Sequence, residues 1–257
     1  MKTTIFHFSG TGNSLKVAQD VANGLGDTTL VPIAKALKGE IDLSADRIGI
    51  VAPVYCWGLP IIVCDFVKKM KPAGLKYVFS VVTYGGSPAK TNLQIDSLLK
   101  ERNMQLSAGF AVRMPGNAIS VYGAWKEEKQ KTLFTAEPQK IKEIVDYINA
   151  NSTGYIEVGG LLMNAIGSMV YKPFMSKMKE ADKSYIVEDT CTKCGICASI
   201  CPVGNIKLVD GKPTWHQNCE QCMRCIQWCP VEAIQLGKAT KVRKRYHHPS
   251  VKVADFE

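Results

Sequence analysis

Apolar positions in the first 150 residues fall into two alternating kinds of run. Ile5 to Phe8, Leu30 to Ile33, Ile48 to Pro53, Tyr77 to Thr83 and Ala108 to Val112 are short and almost continuously apolar. The last is expected to extend back to Met104. Between them, apolar side chains recur at helical spacing: Leu15, Ala18, Val21, Ala22 and Leu25; Ile61 to Lys69 after Pro60; Thr91 to Leu99; and Ile141, Ile144, Val145 and Ile148 within Lys140 to Ile148. Continuously apolar strands need cover on both faces, so this alternation predicts an α/β, doubly wound, five-stranded parallel sheet. Such sheets bind ligands at the carboxyl ends of their strands, where the strand order reverses. Attention falls on the loops after strands one, three and four.

Ser9-Gly10-Thr11-Gly12-Asn13-Ser14 follows the first strand. Three hydroxyls, with glycines that let backbone N–H groups converge at a helix N-terminus, suit a phosphate. The dinucleotide motif G-x-G-x-x-G fails at Leu15, and no G-K-[ST] follows, which excludes a P-loop. Neutral donors favour a terminal phosphomonoester. A capped helix start without ligand is the rival reading. The other two loops are Pro53-Val54-Tyr55-Cys56-Trp57-Gly58-Leu59-Pro60 and Thr83-Tyr84-Gly85-Gly86-Ser87. They set Tyr55, Trp57 and Tyr84 beside Gly58, Gly85 and Gly86. Aromatic faces and close backbone approach suit a flat, electron-poor ring, while simple packing is the alternative for any one of the three.

Further along, one pattern occurs twice, C-x2-C-x2-C-x3-C-P: Cys191, Cys194, Cys197, Cys201 and Pro202, then Cys219, Cys222, Cys225, Cys229 and Pro230. This spacing frames two 4Fe-4S clusters, with the fourth cysteine of each run serving the other cluster. One cluster then uses Cys191, Cys194, Cys197 and Cys229, and the other Cys219, Cys222, Cys225 and Cys201. Zinc sites use four ligands in two separated pairs, not a run of four that repeats. Exchanged ligands tie the two halves together and make this region depend on its metal to fold. Cys56 and Cys64 have no ligand spacing to the eight and read as buried structural thiols.

Phe8-Ser9-Gly10-Thr11-Gly12-Asn13-Ser14 resembles the phosphate loop of flavodoxins, which bind FMN. Val54-Tyr55-x-Trp57-Gly58 and Thr83-Tyr84-Gly85-Gly86 resemble their two isoalloxazine loops. The tandem cysteine runs resemble bacterial two-cluster ferredoxins over 184–237. Together they resemble fused flavodoxin–ferredoxin proteins. The resemblance implies that Ser9, Gly10, Thr11, Gly12, Asn13 and Ser14 bind the phosphate. It implies that Tyr55, Trp57 and Tyr84 flank the ring, with Thr83, Gly58, Gly85 and Gly86 beside it. A backbone carbonyl near Trp57-Gly58 is expected to accept from the flavin N5–H. Ordinary flavodoxins carry acidic residues around the flavin; here Lys90 and Arg113 are expected near that rim, so the potentials of acidic flavodoxins do not transfer.

The domains expected are a flavodoxin-like one (1–150), a helical connector with an apolar stripe (151–183), a ferredoxin-like one (184–237) and a basic tail (238–257). The longest apolar stretch, about 159–171, is interrupted by Asn164 and too short for a span of about 20 residues. Ten cysteines and an N-terminus that reads without a leader point to metal ligation in a reducing cytoplasm. The formal net charge is +9. Two clusters at about −2 each and a phosphate at about −2 would leave little of it, so nucleic acid is not expected. Lys238, Lys241, Arg243, Lys244 and Arg245 read as a solvated tail, with a docking patch for an acidic partner as the alternative. The expected function is transfer of single electrons between two 4Fe-4S clusters and FMN, and on to a redox protein partner. An FMN-dependent reductase of a small quinone-like or unsaturated acceptor is the alternative. His7, Arg113, Tyr122 and Trp125 are the nearest candidate proton donors for it.

Overall fold

The computed structural model of the protein describes residues 1–72, 74 and 77–256. The first half runs β1 (Thr3–His7), α1 (Asn13–Leu25), β2 (Thr28–Pro32), α2 (Ile33–Ala36), β3 (Arg47–Pro53), α3 (Ile61–Lys69), β4 (Tyr77–Tyr84), α4 (Thr91–Lys100), β5 (Ala108–Arg113) and α5 (Glu127–Asn149). The five strands pair in parallel in the order β2-β1-β3-β4-β5. The order reverses beside β1, which places a crevice between the ends of β1 and β3. This is the doubly wound sheet that the apolar runs imply.

Side chains alternate across the sheet and build two cores. Ile48, Ile50 and Ala52 of β3 pack with Phe66 and Val67 of α3 and Leu99 of α4. Val51, between them, faces Val17 and Val21 of α1 and Ile144 and Ile148 of α5. Phe66 is fully buried, so its truncation to Ala would cost about 3–5 kcal/mol. Gly49 breaks the β3 run because a Cβ there would sit 2.5 Å from the Phe79 ring.

Three elements differ from expectation. β5 begins at Ala108 rather than Met104. Met104 and Leu106 are buried but lie in the connection, where Asp96 accepts from the Leu106 N–H at 3.2 Å. Ile33 starts α2 instead of ending β2. α5 starts at Glu127, not Lys140, because its first half is polar around most of its circumference and carries Pro138.

The connector holds α6 (Leu161–Ser176). A small strand-rich region follows: β6 (Tyr185–Val187), α7 (Ile196–Ser199), β7 (Ile206–Val209), β8 (Lys212–Trp215), α8 (Arg224–Gln227) and β9 (Ile234–Leu236). β6 pairs antiparallel with β9 and β7 with β8. The segment from residue 238 is not a solvated tail. Thr240, Tyr246, His248 and Val251 are all buried. Lys241 pairs with Glu188 at 2.6 Å, Lys244 with Glu127 at 2.8 Å, and Arg243 donates to the Ile119 carbonyl at 2.7 Å. These cations are therefore spent within the chain. Residue 257 of the expected tail lies outside the described residues.

Candidate functional site

The carboxyl ends of β1, β3, β4 and β5 open onto a cavity of about 420 Å³. Its size suits a small-molecule cofactor. Of the residues singled out in the three loops, all but Gly12 and Gly58 line it. The loop after β5, with Met114, Pro115, Gly116 and Asn117, supplies a further wall beyond the three loops expected. Its signal was a Pro-Gly-Asn cluster at another strand carboxyl end. Phe174 of α6 lines the cavity too, and so do Gln221, Cys222 and Met223, from a region far along the chain.

The loop Ser9–Ser14 turns on itself. Ser9 Oγ accepts from the Gly12 N–H at 3.1 Å, and Ser14 Oγ lies 2.7 Å from Thr83 Oγ1. Gly12 sits at φ 98, and no side chain caps the N-terminus of α1, where Asn13, Ser14 and Leu15 are buried. Buried N–H groups at an uncapped helix start call for an anion. The Asn13 side chain is occupied otherwise: its Nδ2 donates to Pro115 at 3.0 Å and its Oδ1 accepts from Tyr246 Oη at 2.6 Å. Asn13 thus offers the loop its backbone. Asn117 Nδ2 donates to Thr11 Oγ1.

Tyr55 to Gly58 form a tight two-residue turn. Tyr55 N–H donates to the Gly58 carbonyl at 2.8 Å and Gly58 N–H to the Tyr55 carbonyl at 3.0 Å. Cys56 (φ 46) and Trp57 (φ 63) both occupy the left-handed region, as a type I′ turn requires. Neither residue favours it, so the turn is strained and must be held from outside. α6 holds it. A Cβ at Gly167 would lie 2.6 Å from the Trp57 Cβ, and the Tyr171 ring covers Gly58. Tyr171 Oη donates to the Leu59 carbonyl at 2.7 Å and accepts from Gln94 at 2.9 Å. Gly58 is therefore glycine because Tyr171 packs on it. A Gly58→Val change would strike that ring. Burial pushes the Cys56 and Cys64 thiols up, which fits structural roles.

Of the proton-donor candidates, Tyr122 lines the cavity and Arg113 holds the Gly85 carbonyl at its rim. Trp125 packs on Gly85 and Gly116. His7 does not line it; burial, aided by Arg224, lowers its pKa to about 4, so it is neutral.

The eight cysteines divide between two further cavities. One is lined by Cys201, Cys219, Cys222 and Cys225, the other by Cys191, Cys194, Cys197 and Cys229. They surround space: among the described residues, no His, Cys, Asp or Glu group converges as the ligands of a single metal ion do. Burial pushes the Cys222 thiol up to about 12 and the Cys219 and Cys197 thiols to about 11. As free thiols they are inert; coordination is what deprotonates such groups. Cys222 and Met223 line both the first cysteine cavity and the loop cavity. The Cys222 carbonyl lies 2.3 Å from where a Cβ on Gly10 would be. Trp228 Nε1 donates to the Gly10 carbonyl at 3.1 Å, and Arg224 to that of Ser9 at 2.5 Å. Glu220, buried and pushed up to about 7 by burial, accepts from the Ile62 N–H at the start of α3.

A flavodoxin domain model matches residues 4–140, just over half of the chain. The chain belongs to the flavodoxin domain family. A 4Fe-4S binding domain model matches residues 184–207, so the architecture is a flavodoxin domain followed by a ferredoxin-type domain. No curated protein matches the chain in sequence. Among solved structures, the chain is similar to the Fusobacterium nucleatum flavodoxin bound to flavin mononucleotide. Identity is 13% over 60% of this chain and 100% of that one, with a TM-score of 0.41. It is also similar to rubredoxin oxygen:oxidoreductase from the anaerobe Desulfovibrio gigas (18% identity, 58% of this chain, 37% of that one, TM-score 0.36). A flavoprotein in complex with FMN from Lactobacillus acidophilus is a third (19%, 44%, 92%, 0.34).

The flavodoxin domain's cavity suits FMN on its own chemistry: an uncapped helix start with hydroxyls for the phosphate, and aromatic and glycine walls for the ring. Together the flavodoxin and 4Fe-4S domains make this an FMN and iron–sulfur electron-transfer protein. Among the described residues, no helix is long and apolar enough to cross a membrane.

Proposed function

We propose that the protein passes single electrons in series between a redox protein, two 4Fe-4S clusters and FMN. Cys191, Cys194, Cys197 and Cys229 would hold an outer cluster, and Cys201, Cys219, Cys222 and Cys225 an inner one. When bound, clusters exchange single electrons and FMN takes one or two. The observation that carries the reading is the shared wall: Cys222 lines the inner cysteine cavity and the flavodoxin domain's cavity alike. Cys194 is exposed at the other end, where a partner can approach. Between the ends, Cys197 of the outer set packs against the apolar cluster that buries Cys225 of the inner set.

The remaining residues hold this line in place. Ser9, Thr11 and Ser14 offer hydroxyls, and the start of α1 offers N–H groups, to the phosphate. Tyr84, Gly85 and Gly86 offer one wall for the ring, and Tyr55 and Trp57 another. α6 keeps the Tyr55–Gly58 turn closed. Tyr55 packs edge-on against Phe8, with ring centroids 6.2 Å apart, and burial lifts its phenol well above the usual range. It therefore stays neutral in the wall.

An anaerobic spectroelectrochemical titration with iron and flavin analysis tests the reading. The expected result is two clusters for each FMN, one cluster lost in Cys225→Ser, and the other kept. Full retention of both clusters in that variant would overturn the ligand assignment. One cluster per FMN in the unmodified protein would overturn the series.

A further inference from the structure

Arg224 stands between Cys222 and Cys225 in sequence and is 7% exposed. Its Nη1 donates to the Ile200 carbonyl at 2.7 Å and its Nη2 to the Ser9 carbonyl at 2.5 Å. Ile200 precedes Cys201, and Ser9 opens the phosphate loop. The guanidinium carbon lies 4.1 Å from the Phe256 ring centroid, so one face is closed by an aromatic. Nε is buried with no acceptor. Among the described residues Arg224 pairs with no carboxylate. The ionisable groups around it include Cys222, Tyr55, Cys201 and Cys225, and the neutral His7.

Burying a cation without a partner costs several kcal/mol, and native chains avoid it. Arg224 keeps its charge under all ordinary conditions. Its neighbours bear negative charge once three of them are metal-bound thiolates, which is the state implied by an inner cluster. The fold thus contains a fixed positive charge whose counter-charge arrives with the cofactor. The same side chain ties the backbone next to an inner-cluster ligand to the backbone that begins the phosphate loop.

We propose that Arg224 is the positioning residue of the flavin–cluster junction. Its charge balances the inner cluster, and its two carbonyl bonds hold the cysteine loops against the phosphate loop. This rests on the two-cluster reading above. A fixed cation favours the form that carries one more negative charge, so Arg224 raises the reduction potential of the inner cluster and leaves the outer one alone. Nothing in this depends on a proton leaving Arg224.

The test is an anaerobic, EPR-monitored redox titration of the holoprotein as isolated, as Arg224→Gln and as Arg224→Lys. Two separate cluster signals in the unmodified protein establish the reading on which the inference rests; a shift of one of them tests the inference itself. In R224Q one signal should require a lower potential, by about tenfold in its reduction equilibrium, or about 59 mV for one electron. The other should stay, and R224K should restore the first. Unchanged potentials in R224Q, equal shifts of both clusters, or the same shift in R224K would overturn the proposal. If R224Q fails to hold the inner cluster, R224K decides: retention at the unmodified potential supports the charge role, and loss there too overturns it.

Discussion

Replacing Gly10 with Ala would press directly on the junction between the two domains. The added Cβ would lie 2.3 Å from the Cys222 carbonyl oxygen, 3.0 Å from Tyr55 Oη and 3.3 Å from the Cys222 carbonyl carbon. Favourable non-bonded contacts sit near 3.5–4.0 Å, so the two loops must separate by about 1 Å. The Cβ position is fixed by the backbone and its closest partner is a backbone carbonyl, so no rotamer change relieves the contact. Gly10 is not in the left-handed region, so alanine adds no conformational strain of its own. Overpacking of this kind costs about 1–3 kcal/mol, which is roughly a five- to 150-fold change in an equilibrium constant. The phosphate loop forms one side of the contact, so the cost should fall on FMN affinity. A fluorescence titration of flavin-depleted, cluster-loaded protein measures it. Gly39→Ala is the control, because nothing lies within 4 Å of its Cβ and its φ is ordinary. If Gly10→Ala binds FMN as tightly as Gly39→Ala, the close contact between the loops is not what the structure describes.

Tyr171→Phe removes the bonds to Leu59 and Gln94 and should lower stability by about 1–2 kcal/mol in a denaturant melt; no change would show that the Tyr55–Gly58 turn holds itself. Gly167→Val drives a side chain into Trp57 and should lift α6 from the turn, weakening FMN binding while both clusters stay. Unaltered FMN affinity would exclude α6 as the brace. His248 Nδ1 accepts from the Ser250 N–H, and burial lowers the pKa of His248 to about 4 from 6.5. The unfolded chain therefore binds the proton first on acidification. Stability from this group is complete above pH 6.5 and falls as pH drops toward 4, by about 1–3 kcal/mol. Melts of His248→Asn at pH 7 and pH 5 should show a smaller difference than the unmodified protein does; an equal difference would reject the assignment.

The sheet was legible because its strands are covered on both faces, and runs such as Ile48 to Pro53 need no alternation to be recognised. The helix Ile61–Lys69 was legible from Pro60 and its spacing. The first half of α5 was not, since Glu127 to Gln139 interleave charges with few apolar side chains and the helix survives Pro138 by packing further on. The Cys56–Trp57 turn was hidden for another reason: neither residue prefers positive φ, so only the surrounding contacts reveal it. Tyr246, His248 and Val251 stand among five basic residues and an exposed-looking composition. Their burial depends on Gly12 and Asn13, which no local pattern connects to them. Most of the loop cavity's walls were readable one loop at a time. The wall contributed by Gln221, Cys222 and Met223 required the two domains to be seen together.

The brace behind the phosphate loop has a consequence for how the protein is assembled. Tyr246 reaches Asn13 across 233 positions of chain, and His248 N–H reaches the Thr11 carbonyl at 2.8 Å. During synthesis the five-stranded sheet emerges first and folds as a unit. Its flavin loop then lacks Trp228, which comes from within the second cysteine run, and Tyr246 and His248, which come from beyond it. A region whose ligands are exchanged between two clusters, as proposed above, would acquire its fold with its metal. On the proposed function, tight flavin retention would then come last in maturation and would wait on iron. In a cell short of iron, the chain would accumulate with its sheet formed and its flavin exchanging freely, so the yellow of the purified protein would report on its clusters.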